Sequence, residues 1–259
     1  MIHAVWNLLL AGARDSQAAT AVALVVATLA GAPAAAATWR VDRDVWPYLV
    51  ASAALEIVYF ALLATAYSRS ELSVVYPLAR GLAPVFVLIG TVAVTSASTS
   101  APEAGGVCLV AAGVLLVRGL GHARAEGALF GIAIAICIAS YTVVDKHGIA
   151  HAAPMAYNEL VTIGLTLAYV GWFALARGTR PMRAEIGPHT IVGGCATFAA
   201  YSLVLFALRL APAPSVAAVR ETSVLVATAL AAVFLRERVT LVRLAGAVFV
   251  VGGVALLSL

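Results

Sequence analysis

The sequence predicts an all-α integral membrane protein: a ten-helix bundle, its first helix truncated, made of two five-helix repeats. Three observations predict it. The chain has 259 residues, of which 63% are hydrophobic and 11% charged, and a mean hydropathy of +1.02. A soluble domain carries about 25% charged residues, so most of this surface must face lipid rather than water. The apolar residues form runs of roughly 20, long enough to cross a bilayer as helices, and they do not alternate as the strands of a lipid-exposed barrel would. Finally, Arg80, Gly106 and Gly113 recur as Arg220, Gly246 and Gly253, each 140 positions later (220 − 80 = 246 − 106 = 253 − 113). Between the glycines, GVCLVAAGVLLV (106–117) matches GAVFVVGGVALL (246–257) in apolar character throughout.

Spans are predicted at 17–38, 46–67, 72–95, 103–119, 126–145, 155–176, 187–208, 213–235 and 240–258, preceded by a shorter apolar helix at 1–13. Charged residues and turn formers separate them, at Arg40-Val-Asp-Arg43, Ser68-Arg-Ser-Glu71, Gly119 to Arg124, Gly178-Thr-Arg-Pro181 and Arg236-Glu-Arg238. The connections are short and no soluble domain is inserted. The repeat places His3-Ala-Val-Trp-Asn7 where Ala139-Ser-Tyr-Thr-Val143 lies in the sixth helix, which has about a dozen more residues before that point. Thirteen helical residues reach only about 20 Å of a ~30 Å hydrocarbon core. The expectation is a natural start upstream of Met1. Arginines concentrate in the odd-numbered connections, and the positive-inside rule then places both termini outside.

Four ionisable side chains fall deep within spans: Glu56 in the third helix, Arg80 in the fourth, and Arg220 and Glu221 in the ninth. A charge at mid-membrane costs at least ~2.5 kcal/mol, so such groups pair, face water or bind something. Arg80 and Arg220 are repeat-equivalent, and two guanidiniums suit a carboxylate or phosphate through forked hydrogen bonds. Glu56 and Glu221 are expected as charge partners or proton carriers. Pro77, Gly81 and Pro84 surround Arg80 and predict a kink there. Trp6 and Asn7 in the first helix, Tyr59 in the third, Tyr76 in the fourth, Tyr141 in the sixth and Tyr201 in the eighth are expected to line the same space. Tyr76 and Arg80, like Tyr141 and Asp145, are four apart and share a helical face, with Asp145 near the membrane interface. Tyr48 and Tyr169 read as interfacial belt residues.

Other chemistries are not supported. A net charge of +4 with singly scattered arginines argues against nucleic acid as a partner. Cys108, Cys137 and Cys195 lack metal or disulfide spacing and read as small buried hydrophobes. His147 and His151 are four apart without the glutamate of HExxH, and the span-end histidines read as interfacial. No GxSxG or P-loop is present, so neither an enzyme nor a cofactor is expected, and no metal. The fifth and tenth helices carry the repeated glycines and almost no polar side chain. They read as scaffold packed on each other, or as a homodimer surface.

HAVWNLLL near the start, LSVVYPLARGLAP in the fourth helix, and VAAVRETSV with LRERVTLVRLAGAVFVVGGV in the last two resemble the EamA-type transporters of the drug/metabolite transporter superfamily. The resemblance covers the whole chain except the front of the first helix. It implies two inverted five-helix repeats, 1–119 and 120–259, with helices 1, 3, 4, 6, 8 and 9 around a central path and helices 5 and 10 apart. It also implies cytoplasmic termini, opposite to the arginine count. The acidic residue that the family carries before its last helix is Glu237 here, whereas the first repeat has Ser96-Ala-Ser-Thr-Ser100 at the matching place.

The functional expectation is a secondary transporter of the inner (plasma) membrane. It would move a small polar or amphipathic metabolite outward by alternating access, driven by an ion or solute gradient. Its partners would be that solute, membrane lipid and a second copy through helices 5 and 10. A carrier-lipid flippase or a non-transporting membrane scaffold are the alternatives.

Overall fold

A computed structural model of the chain describes residues 14–69, 72–95, 99–118, 125–226 and 240–257. Trp6, Asn7 and Glu237, and the expectation of a short first helix, lie outside the described residues.

Among the described residues the structure is all-α. The helices are α1 (Ser16–Ala37), α2 (Trp46–Arg69, after a 3₁₀ turn at Arg43–Val45), α3 (Leu72–Thr95), α4 (Ala101–Arg118) and α5 (Ala125–Gly148). They continue with α6 (Pro154–Arg177), a short α7 (Arg180–Ala184), α8 (Pro188–Leu210), α9 (Ala213–Arg220) and α10 (Leu241–Leu256). Six are long and apolar enough to cross a membrane, and α4 and α10 are shorter apolar helices. This is a multi-pass membrane protein. Large apolar side chains such as Leu175, Leu210 and Leu241 stand exposed, as a lipid-facing surface requires. Cys108 and Cys195 lie on that exposed surface too, and only Cys137 is buried, which corrects the expectation of three buried thiols.

One expectation about helix continuity is corrected. The span predicted at 213–235 does not run through: α9 ends at Arg220, a turn occupies 221–222, and helix resumes over 223–226. By contrast α3 stays helical over its full length with Pro77 and Pro84 inside it. The short α7 falls where the sequence shows only the break Gly178-Thr-Arg-Pro181. Gly178, at φ +74°, ends α6 in a conformation that glycine adopts without steric cost.

The chain divides into two compact units, each drawing on both halves of the sequence: residues 1–57 with 144–210, and residues 58–143 with 211–259. The first unit packs α1, α6 and α8 together. Gly194 in α8 sits so close to α1 that a Cβ there would lie 2.5 Å from the Ala23 carbonyl and 2.7 Å from Val26 Cβ. Asp15 caps α1, its carboxylate accepting from the Gln17 and Ala18 N–H groups at 3.1 Å. It also pairs with Arg177 of α6 at 2.7 Å, and that guanidinium lies 5.1 Å from the Phe173 ring centroid. Burial opposes ionisation of Asp15. The hydrogen bond from Ala18 and the bond and charge of Arg177 outweigh it, and the carboxyl is held below its ordinary value.

The second unit is organised by α4 on α10. A Cβ on Gly106 would lie 2.8 Å from the Gly253 carbonyl, and one on Gly113 would lie 2.6 Å from the Gly246 carbonyl. Contact this close is what small residues at helical spacing permit. The partners run in opposite senses, so the two helices are antiparallel here. Replacing each glycine by its equivalent 140 residues away converts one pair into the other. Val107, Val110, Val114 and Val117 of α4, Val250 of α10, Ala218 of α9 and Val224 form the apolar core around this seam.

Candidate functional site

The second unit holds a buried pair of opposite charges. Arg80 is the ninth residue of α3, a helix long and apolar enough to cross a membrane, and Arg220 is the last residue of α9. Arg80 Nε lies 3.2 Å from Glu221 Oε2, with side chains 11% and 1% exposed. At ion-pair distance, the two atoms are nevertheless not aligned as a hydrogen bond. The attraction is therefore Coulombic, without the directed bond that makes the strongest buried pairs. Arg220 is half-buried and precedes the turn directly.

The turn that carries Glu221 has a local cause. The N–H groups of Glu221, Thr222, Val224 and Leu225 each bond three residues back, at 2.9–3.0 Å, which is the tighter 3₁₀ pattern. The Thr222 hydroxyl also donates to the Val219 carbonyl at 2.8 Å, giving the backbone an alternative to α-helical bonding. A break within a membrane span is tolerated only where protein or a cavity meets the freed backbone groups. Discontinuous membrane helices form the solute sites of many secondary transporters. Beside Arg80, Gly81 lets α3 approach α4: a Cβ there would lie 2.9 Å from Leu115 Cδ2. Tyr76, half-buried, lies one turn before Arg80. Tyr59 meets Tyr141 edge to face, with ring centroids 6.4 Å apart.

The first unit holds a second polar centre, which the sequence placed at the membrane interface. Asp145 is fully buried. Its Oδ1 accepts from the Tyr157 hydroxyl at 2.9 Å, and its Oδ2 accepts from the Tyr201 hydroxyl. Tyr201, expected as a wall of the solute path, thus carries Asp145. Glu56 is half-buried in this unit and acts electrostatically on Tyr157. Tyr48 is more than a belt residue: it stacks on His147 and His151, with centroids 6.4 and 5.5 Å apart. A polar seam continues between α6 and its neighbours. Asn158 donates to the Phe198 carbonyl at 3.1 Å and the Ser202 hydroxyl at 2.9 Å, and Thr28 bonds Thr166 at 3.0 Å. In the sequence its signal is Asn158, Thr162 and Thr166, three polar residues at four-residue spacing within an apolar span.

Apolar helices long enough to cross a membrane, one of the apolar runs interrupted after Arg220, with a buried arginine–glutamate pair beside the break, describe a multi-pass membrane protein. The EamA-like transporter family model matches residues 125–259, and the chain belongs to that family. It is thereby a membrane transporter of the drug/metabolite transporter superfamily. A solved structure described as "Crystal structure of protein" shares the fold, with a TM-score of 0.76 at 16% identity over 100% of this chain and 96% of its own. No curated protein matches the sequence.

Proposed function

We propose that the protein is a secondary transporter that exports a small polar or amphipathic metabolite across the inner (plasma) membrane by alternating access, driven by an ion or solute gradient. The observation that carries this reading is the Arg80–Glu221 pair at the break after α9. A buried pair without an aligned hydrogen bond has little net advantage over apolar side chains of the same volume, so its presence between apolar helices is better explained by solute recognition. An anionic group of the solute would take Glu221's place at Arg80, with Arg220 as a second contact and the α9 turn as the moving part. Tyr76, Tyr59 and Tyr141 of the same unit complete the proposed solute contacts. Glu56 and Glu221 remain charge partners.

The self-complementary glycine contacts of α4 and α10 support the arrangement of 1–119 and 120–259 as inverted repeats. Antiparallel, repeat-exchanging contacts are what a two-fold axis in the membrane plane produces. A second copy docked through α4 and α10 belongs to the same proposal.

The test is a thermal-shift screen of metabolites on purified protein, followed by flux of any hit in proteoliposomes. A ligand that binds only the folded state raises its apparent stability. Arg80→Ala and Arg220→Ala are each expected to lose at least tenfold in flux. Wild-type flux by both folded variants contradicts the proposal.

A further inference from the structure

Glu159 lies in the sixth position of α6, and only 3% of it is exposed. Its Oε2 is buried without a hydrogen bond, and no ion pair reaches the residue among the described residues. The carboxyl rests against the backbone of Gly31 in α1 and the ring of Phe198 in α8. A Cβ on Gly31 would overlap both Oε2 and the ring, so glycine at 31 makes the space that the acid fills. The neighbouring polar groups are committed elsewhere: Asn158 to Phe198 and Ser202, Thr162 to Asn158, and Thr28 to Thr166.

Among the described residues of α1, α6 and α8, the charges that face this region are few. Between Ser16 and Ala37, α1 has no ionisable residue. In α8 there are His189 and Arg209 near the ends and Tyr201, which is held by Asp145. In α6 itself there are Tyr157, also on Asp145, then Tyr169 and Arg177 far along the helix. None compensates a charge on Glu159.

A lone ionised carboxylate in such surroundings is costly, and a group so placed takes up a proton instead. A metal cation in its place would need several oxygen ligands, whereas the acid meets a phenyl ring and a glycine backbone. A proton needs one oxygen. The site lies about 8 Å from the start of α6 at Pro154, within reach of the aqueous boundary.

We propose that Glu159 is the proton-loading residue of this transporter. The carboxylate takes a proton from the aqueous side to become the neutral acid, which fits the closed α1–α6–α8 seam. Releasing that proton leaves a charge that the closed seam cannot hold, so α1, α6 and α8 part to admit water. This rests on the transport reading above and goes beyond it by naming the coupling ion and the residue that carries it.

The experiment is infrared difference spectroscopy of the full chain in lipid nanodiscs during an alkaline titration, with no solute present. The expected result is a carbonyl stretch of a protonated carboxylic acid that persists where exposed carboxylates are fully ionised and vanishes at higher pH. Glu159→Gln should abolish it, Glu159→Asp should keep it with a shifted midpoint, and Glu221→Gln should leave it intact. Identical difference spectra from wild type and Glu159→Gln overturn the proposal. If Glu159→Gln does not fold, wild-type protein treated with dicyclohexylcarbodiimide decides the matter by peptide mass mapping. An adduct on Glu159 that falls at least tenfold as the pH is raised supports the proposal, and an adduct found instead on Glu56, Asp145 or Glu221 overturns it. Neither readout uses a solute. Failure here therefore removes Glu159 and leaves transport standing, while failure of the flux assay removes transport and leaves the titration standing.

Discussion

Arg80 Nε of α3 and Glu221 Oε2 of the turn after α9 stand 3.2 Å apart within one compact unit, buried and without hydrogen-bond alignment. Removing either partner leaves an uncompensated buried charge, at a cost of about 3–5 kcal/mol. Arg80→Ala and Glu221→Ala are therefore each expected to lower the thermal midpoint in detergent markedly. The apolar double variant Arg80→Met/Glu221→Leu should recover most of that loss. A double variant no more stable than the single ones would mean that the pair is not the source of the effect.

The Asp145 centre gives a second expectation. Tyr157→Phe and Tyr201→Phe each remove one hydroxyl from the same buried carboxyl, and a hydrogen bond to a charged group contributes about 1.5–3 kcal/mol. Both variants should lower the thermal midpoint. Because they share one acceptor, the double variant should deviate from the sum of the two singles. Strict additivity would show that the two hydroxyls act independently.

The glycine seam is testable by crowding. A Cβ on Gly113 would meet the Gly246 carbonyl at 2.6 Å and Val250 at 2.7 Å, and backbone cannot yield as a flexible side-chain tip can. Gly113→Val and Gly246→Val should each destabilise by about 1–3 kcal/mol through overpacking. The same change at Gly105 or Gly171, where a Cβ meets open space, should have little effect on packing. Comparable thermal midpoints for all four variants would contradict the close approach of α4 and α10.

Asp15 predicts a pH dependence. Its carboxyl is held below its ordinary value in the folded state. Its contribution is therefore present above the unfolded value of about 3.9 and is lost as the pH falls through the folded value. Asp15→Asn keeps a capping side chain and removes the charge that Arg177 meets. Its thermal midpoint should lie below that of wild type near neutrality and converge with it in acid. A constant difference at every pH would assign the effect to capping alone.

The membrane spans were legible in the sequence because lipid leaves a helix little choice. Long apolar runs must satisfy their own backbone groups, so α1, α3, α6 and α8 begin and end within about two residues of the boundaries that charge and turn residues mark. The break after Arg220 was not read, although Arg220, Glu221 and Thr222 are three successive polar residues in an apolar run. Thr222's competition for the Val219 carbonyl turns that cluster into an interruption. Asp145 was placed near a span end but was not read as a buried polar centre. Only tertiary packing brings Tyr157 and Tyr201 over it. Glu159 escaped notice for the same reason, four residues from the predicted start of its span, though Asn158, Thr162 and Thr166 marked that helix face as inward. The approach of α4 to α10 was readable as mutual packing or as a dimer surface, and the glycine contacts establish the mutual packing within the chain.

Solute flux through the Arg80→Met/Glu221→Leu variant tests the account most directly, because that variant keeps the buried volume while deleting the charges. Reconstituted beside wild type in proteoliposomes with the same solute, it should fold, match the wild-type thermal midpoint closely and lose at least tenfold in flux. Undiminished flux through the uncharged pair would contradict the account.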